Sequence, residues 1–560
     1  MKVVIVGGVA GGASAAARLR RLHEGAQIVM FERGEYISFA NCGLPYYVGG
    51  IIPKRSSLLV QTPKAMHSRF NIDVRTLSEV VGVFPTTKEV EVKNLRSGET
   101  YRENYDYLVL APGAAPFIPP IPGIDLANVF TIRNVPDSDM IKQYIEAEQP
   151  ASAVVIGAGF IGIEMTEVLA NEGVAVHLVE AGPQVMGGLD RDMAAIVHQY
   201  IRKKGIQLHL NSQAVAIEGP EKVAAVRLAD GSSIEAQMVI LGIGVRPETA
   251  LAKGAGLALG STGGILVDEY LRTSDAHIYA AGDAIQVKDF VTGRDTLVPM
   301  ASPANRQGRT VADNISGRSI KYKGAQGTGI VRIMDLVIAV TGANARVLKG
   351  QNIDFQSCLI HPFPHATYYP GGTQMTLKIL FAPLSGKVLG AQIVGYEGVD
   401  KRMDVLATAI RAGMTVFDLQ ELELAYAPPF SSAKDPVNMA AYAAGNIING
   451  DVDGIEWGQV PELLAGGAFL LDVRTEREVE SGNIQGAANI PLDELRERLA
   501  EVPRDKQILV SCQVGLRSYI AARILLQHGF TVKNIAGGFK TYQILRSDHL
   551  LDDHLLTKGA

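Results

Sequence analysis

Cysteine is scarce in this chain: 560 residues carry three, Cys42, Cys358 and Cys512. Thiols so few and so far apart build neither a disulfide framework nor a four-ligand zinc site, so each is read as a lone thiol. The histidines show no pair at metal-ligand spacing in a helix, and His361 and His365 lie beside prolines, so no metal is expected. Surplus positive charge is missing too. The 53 Lys and Arg face 58 Asp and Glu, a net charge of -5, which excludes a general field for nucleic acid or an acidic membrane and leaves anionic ligands to local sites. No apolar run approaches the ~18 to 20 residues of a membrane span. The apolar start, Met1 to Leu19, carries glycines where a phosphate-binding turn needs them, so it is not read as a secretion signal. The expectation is a cytoplasmic protein of small-molecule chemistry.

Glycine, by contrast, is abundant, with 59 residues, as in α/β enzymes rich in tight strand-to-helix turns. The length predicts about three to four domains. One unit occurs twice. Lys2–Gly7 reads as a strand, followed by a glycine turn, a helix over Ala13–Leu22 and a strand Ala26–Phe31 ending on Glu32. Ala153–Ile156 repeats it, with a helix through Leu169 and a strand Ala175–Val179 ending on Glu180. Two such βαβ units suggest two dinucleotides. Closing strands are expected at Tyr107–Pro112 and Met238–Leu241, a buried strand at His277–Ala280 before Asp283, and a helix over Pro303–Ser316. From about Lys323 the pattern turns to alternating strands and then a helix around Asp404–Gly413. Asn446–Trp457 reads as a linker with a domain boundary near Asp453.

A glycine is needed where strand becomes helix because a side chain there blocks the backbone from a pyrophosphate held at the helix N-terminus. Gly157-Ala-Gly159-Phe-Ile-Gly162 meets that pattern, and Glu180 follows Gly162 by 18 positions, near the ~20 expected of an acid on a ribose 2′-hydroxyl. No arginine follows to favour a 2′-phosphate, which points to NADH. In the first turn, Gly7-Gly-Val9-Ala10-Gly11-Gly12, valine stands at the middle glycine position.

The order of these folds, the strand Leu108–Ala111 with Gly113, and Ala281-Gly282-Asp283 resemble the pyridine-nucleotide disulfide oxidoreductases over roughly residues 1 to 450. The resemblance implies FAD held by Gly7, Ala10, Gly11, Gly12, Glu32, Arg33, Val80, Ala111, Gly113, Gly282, Asp283, Pro299 and Ala301. It implies NADH held by Gly157, Gly159, Phe160, Ile161, Gly162, Glu180 and Gly244. The stretch Ser38-Phe-Ala-Asn-Cys42-Gly-Leu-Pro-Tyr-Tyr47 has no second cysteine, which excludes an internal redox disulfide and leaves a mixed disulfide with an external thiol. It is similar to the CoA-disulfide reductases. That likeness implies CoA contacts from Ser14, Arg18, Arg21, Ser38, Asn41, Asn305 and Lys434, and two tyrosines, Tyr368 and Tyr426, supplied by the partner of a homodimer beside Cys42. Phe70 stands where those enzymes carry a basic CoA contact. The NADH peroxidases and oxidases, which use a cysteine sulfenic acid, are the alternative; their first-turn histidine is Ala10 here.

Beyond the linker, Leu470-Leu-Asp-Val-Arg474, Gly486–Pro491 and Cys512-Gln-Val-Gly-Leu-Arg517-Ser resemble the rhodanese family. Converging backbone N–H groups, with Arg517 closing the ring, are expected to hold the charge of a Cys512 persulfide. Cys358, in an apolar strand, reads as core. The expected architecture is α/β: an FAD domain over 1–117 and 246–322, an NAD domain over 118–245, an α+β dimerisation domain over 323–450 and an α/β rhodanese domain over 455–560. The expected activity is NADH-driven reduction of CoA persulfide, polysulfide or CoA disulfide.

Overall fold

The computed structural model describes residues 1–551, so the last residues of the expected 455–560 domain lie outside the described ones. The described residues divide into two compact units, one of 1–182 and 209–327, the other of 183–208 and 328–551.

In the first unit, the β-branched run Lys2–Val6 forms the middle of a parallel sheet. It lies between Gln27–Phe31 and Tyr107–Leu110, with Ile278–Ala280 and Asp73–Arg75 outermost. Val3, Val4 and Ile5 are fully buried, as expected of a strand covered on both faces. The repeat builds a second parallel arrangement in which Ser152–Ile156 lies between Ala175–Val179 and Met238–Leu241. The helices begin earlier than the glycine pattern suggests. The first runs Ala10–Leu22 rather than from Ala13, because Gly11 and Gly12 fall in its first turn, where close packing favours small residues. The late helix likewise starts at Ala301, two residues ahead of Pro303, which its fixed φ tolerates in a first turn. This helix packs on the first one so closely that a Cβ on Gly308 would run into the Gly11 carbonyl oxygen.

In the second unit, a five-stranded antiparallel sheet runs in the order Gly329–Ile333, Leu336–Gly342, Val388–Gly395, Thr376–Phe381, Gln356–Ile360. The helix predicted around Asp404–Gly413 is longer, Val399–Ala412, and ends on Gly413 at φ 73. Arg402 on it is buried and donates to Asp435 at 2.9 Å. The stretch expected as a linker is largely ordered structure: the helix Pro436–Ile448 runs into it, and Gly454–Ile455 already pairs with Thr531–Ile535. That pair edges a five-stranded parallel sheet with Gln507–Ser511, Phe469–Asp472 and Ala488–Asn489.

Residues 183–208, inside the span expected for the NAD domain, cluster with this second unit. Their helix, Arg191–Lys203, places Ala195 in one apolar core with Trp457, Leu509 and Tyr542. His198, fully buried, meets Asp548 at 2.8 Å. Buried Lys378 gathers Asp192, Glu456 and Asp190 at 2.8, 3.2 and 3.3 Å. Three carboxylates around one ammonium keep that buried charge paired.

Candidate active sites

Both glycine turns are shaped for a phosphate group. Gly7 has φ +96 and Gly157 φ +97, and a Cβ on Gly12 or Gly162 would run into the carbonyl oxygen of Gly7 or Gly157. The two acids take equivalent places. Glu32 accepts from the Gly8 and Gly34 N–H groups at 2.9 and 2.8 Å, and Glu180 from those of Ala158 and Gly182 at 2.8 and 2.7 Å. Each carboxylate is thereby fixed at the mouth of its turn, oriented for a ribose. Beside the first turn lies a cavity of about 310 Å³, lined by Gly7, Glu32, Arg33, Val80 and Pro112. Shape and donor set fit the adenosine half of FAD. Arg33 is tied to Glu248, a residue the sequence pattern did not single out. Ala111 and Gly113 lie at the end of the closing strand, and Gly113, at φ +79, faces Arg133. Pro299 and Ala301 are exposed around the start of the helix Ala301–Ile315, and Gly282 donates its N–H to Gln307 at 2.7 Å. In the second fold Phe160 opens the helix and is 38% exposed, Ile161 follows it, and Gly244 caps the Phe117 N–H at 2.9 Å.

Cys42 stands on a one-turn helix, Asn41–Gly43, that runs into Leu44–Val48. The residue is exposed, yet the protein packed about its sulfur pushes the thiol pKa up, and the carboxylates of Glu164 and Asp283 add to the effect; its own backbone N–H opposes it. Burial also raises Asp283, with Arg133 opposing. Glu164, which the sequence reading missed, sits on the nucleotide-fold helix Phe160–Asn171. It accepts from the Tyr46 hydroxyl at 3.2 Å. Burial pushes its carboxyl up to about 7, the Tyr46 bond opposing and Glu167 adding. Above that pH Glu164 is a negative neighbour of the thiol, and a negative neighbour disfavours the thiolate. Glu164→Gln is therefore expected to move Cys42 alkylation by iodoacetamide to lower pH. The pH profile of alkylation in the reduced protein reads this directly, and an unchanged midpoint would separate the two groups.

A second cavity, of about 380 Å³, is lined by Ala10, Ser14, Arg18, Arg21, Ser38 and Asn305. The structure thus collects five of the seven predicted CoA contacts around one space. It adds Arg309 and Gln61; Arg309 follows Asn305 by one helical turn, a spacing that was legible. Phe70 is on the wall, as expected of its position. Ser14 donates to Asn305 at 2.5 Å, and Arg18 donates to Asp313 at 2.7 Å while still bordering the cavity. Two predicted contacts are not there. Asn41 turns its amide to Arg133, pairing with the carbonyl at 2.9 Å and the guanidinium at 3.1 Å. Lys434 lies exposed in the second unit, before the helix Pro436–Ile448.

Tyr368 and Tyr426 also belong to the second unit. They are 74% and 47% exposed and share a hydrogen bond of 2.7 Å, which raises the Tyr368 phenol above its ordinary pKa. Two polar rings this exposed and already paired suit a surface completed by a partner. Cys358 is buried in the strand Gln356–Ile360, and burial pushes its thiol up to about 12, which makes it inert.

Cys512 follows the strand Gln507–Ser511 and precedes the helix Leu516–Gln527. It is fully buried, and its sulfur accepts from the Gly515 N–H at 3.1 Å. The expected ring is not closed by Arg517. That guanidinium is held by Glu478 in a two-point pair at 2.7 and 2.6 Å, because a carboxylate matches its donor fork better than a thiol does.

Three family profiles match the chain: pyridine nucleotide-disulphide oxidoreductase over residues 1–308, the dimerisation domain of the same family over 329–436, and a rhodanese-like domain over 457–545. The chain is similar to the crystal structure of reduced Bacillus anthracis CoADR-RHD, with 54% identity, 98% of each chain covered and a TM-score of 0.96. An NAD-dependent persulfide reductase from A. fulgidus shares 39% identity over 97% of this chain and 100% of its own, with a TM-score of 0.91. Among sequence relatives, an NADH oxidase of Methanocaldococcus jannaschii is 38% identical over 79% of this chain and 98% of its own length. A Coenzyme A disulfide reductase of Staphylococcus haemolyticus is 35% identical over 80% and 100%.

Proposed function

Because the chain belongs to the pyridine nucleotide-disulphide oxidoreductases, we propose that it uses NADH to reduce the sulfur–sulfur bond of CoA persulfide, or of a related CoA disulfide or polysulfide, at Cys42, and that its rhodanese domain carries sulfane sulfur on Cys512. The observation that carries this reading is the arginine-bearing cavity whose lining includes Ser38, on the same segment as the single exposed thiol Cys42. Arg18, Arg21 and Arg309 suit the phosphates of a nucleotide-bearing thiol, since guanidinium forks match phosphate oxygens.

In this reading Cys42 attacks the CoA sulfur of the persulfide, a Cys42–S–S–CoA bond forms, and HS⁻ leaves with the electron pair of the broken bond. The Gly7–Gly12 turn, Glu32 and Asp283 would hold FAD, which would supply the two-electron chemistry that returns this mixed disulfide to the Cys42 thiolate and free CoA at the expense of NADH. The Gly157–Gly162 turn and Glu180 would hold NADH. Tyr368 and Tyr426 of the second subunit donate the proton to the departing thiol, the part that Ala10 cannot play. The domain limits of this reading are those expected from the sequence, with 183–208 packing on the second unit, and the enzyme acts as a homodimer.

The NADH oxidase among the relatives keeps a sulfenic-acid chemistry in view, and one comparison decides between them. Steady-state NADH oxidation with CoA persulfide, CoA disulfide and hydrogen peroxide is expected to give the highest kcat/KM for CoA persulfide; preference for peroxide overturns the proposal.

A further inference from the structure

We infer that Glu478 sets the charge of the sulfur donor that Cys512 accepts: by holding Arg517 in a neutral pair, it makes the site take a monoanionic organic persulfide in preference to the dianion thiosulfate. This rests on the reading that Cys512 carries sulfane sulfur, and names the donor class for that site. From Cys512 to Ser518 the loop holds one cation, Arg517. Both of its terminal nitrogens are spent on the two carboxylate oxygens of Glu478. The Glu478 carboxyl also receives the Thr475 N–H and hydroxyl at 3.0 and 2.9 Å. The Arg517 bonds come first among the causes that hold it down at about 2, so it stays ionised at any working pH.

The neighbouring guanidinium is neutralised as well. Arg474 and Asp472 make their own buried pair at 2.7 Å. Lys540, whose backbone N–H meets the Gln513 carbonyl, sends its ammonium to Gln374 at 3.2 Å. Both guanidiniums are thus spent on carboxylates, burial lowers the pKa of the Lys540 ammonium, and the Cys512 thiol is itself fully buried. The cost of moving an ion out of water grows with the square of its charge, so an unneutralised dianion is penalised far more than a monoanion. In the favoured step the Cys512 thiol passes its proton to the bound persulfide monoanion, and the thiolate so formed attacks the outer sulfur of R–S–SH. A Cys512–S–SH bond forms, the donor's S–S bond breaks, and R–S⁻ leaves with the electron pair. With thiosulfate the same step would release sulfite.

The test uses the full-length, FAD-loaded protein with cysteine persulfide, a net monoanion, or sodium thiosulfate as donor, and follows the gain of one sulfur atom on the Cys512 peptide by mass spectrometry. The wild type is expected to load from the persulfide at least about tenfold faster than from thiosulfate, and Glu478→Gln to raise the thiosulfate rate about tenfold by freeing Arg517. Glu478→Asp, which keeps the charge, and Thr475→Ala, which loosens the same turn without changing charge, should leave the preference in place. Should Glu478→Gln fail to fold, Arg517→Gln carries the test with opposite sign and widens the preference. The inference is overturned if thiosulfate loads the wild type as fast as persulfide, if Glu478→Gln and Arg517→Gln leave the ratio unmoved, or if Thr475→Ala shifts it as much as Glu478→Gln. Loading by neither donor overturns the sulfane reading of Cys512 itself, and the inference with it.

Discussion

Cys42→Ser is expected to lower NADH-driven reduction of CoA persulfide by about a thousandfold or more while the protein stays yellow. A serine hydroxyl is not ionised near neutral pH and forms no disulfide, so the mixed-disulfide step is lost while the FAD turn, built from other residues, is untouched. No other thiol can stand in. Cys358 is buried with its thiol pushed up to about 12, and Cys512 is buried in a loop of its own beyond the matched reductase domains. The measurement is kcat/KM together with the flavin absorbance. Activity within about tenfold of the wild type would remove Cys42 from the mechanism.

The glycine turns lead to a second large effect, which separates the two nucleotides. In Gly12→Ala the new methyl collides with the Gly7 carbonyl oxygen, and in Gly162→Ala with that of Gly157, so helix and turn must part in each case. The contacts are with backbone, which cannot step aside by a rotamer change. Gly12→Ala is expected to purify colourless, with FAD affinity down at least about a hundredfold. Gly162→Ala should purify yellow but bleach with NADH only at concentrations raised by about the same factor. Absorbance of the purified proteins and an anaerobic NADH titration check both. A Gly162→Ala protein that lost its colour would contradict the assignment of the second fold to NADH.

Much of the fold was legible because its signals are local. A β-branched run, a glycine turn and a terminal acid within some thirty residues announce a βαβ unit without reference to the rest of the chain, and Lys2–Glu32 and Ser152–Glu180 fold accordingly. Reading Gly11 and Gly12 as turn alone puts the helix start at Ala13 instead of Ala10, when they serve both turn and helix. The segment 183–208, placed in the NAD domain by continuity, clusters with the second unit. Nothing local in Arg191–Lys203 says that its apolar face packs with Trp457 and Tyr542, more than two hundred and fifty residues on.

The candidate sites divide along the same line. By itself the sequence determined the fold class, the two glycine turns, the segment that carries Cys42 and the Cys512 loop, because each is a contiguous motif whose chemistry depends on residue type and spacing. Only the tertiary structure decided which charges meet. It set Glu164 near Cys42 from the other nucleotide fold, joined Arg309 and Gln61 to the arginine cavity, turned Asn41 to Arg133, and gave Arg517 to Glu478 rather than to Cys512. Electrostatic pairing acts through space over a few ångströms. Residues far apart along a chain acquire that proximity from packing of the core, and no local pattern encodes it.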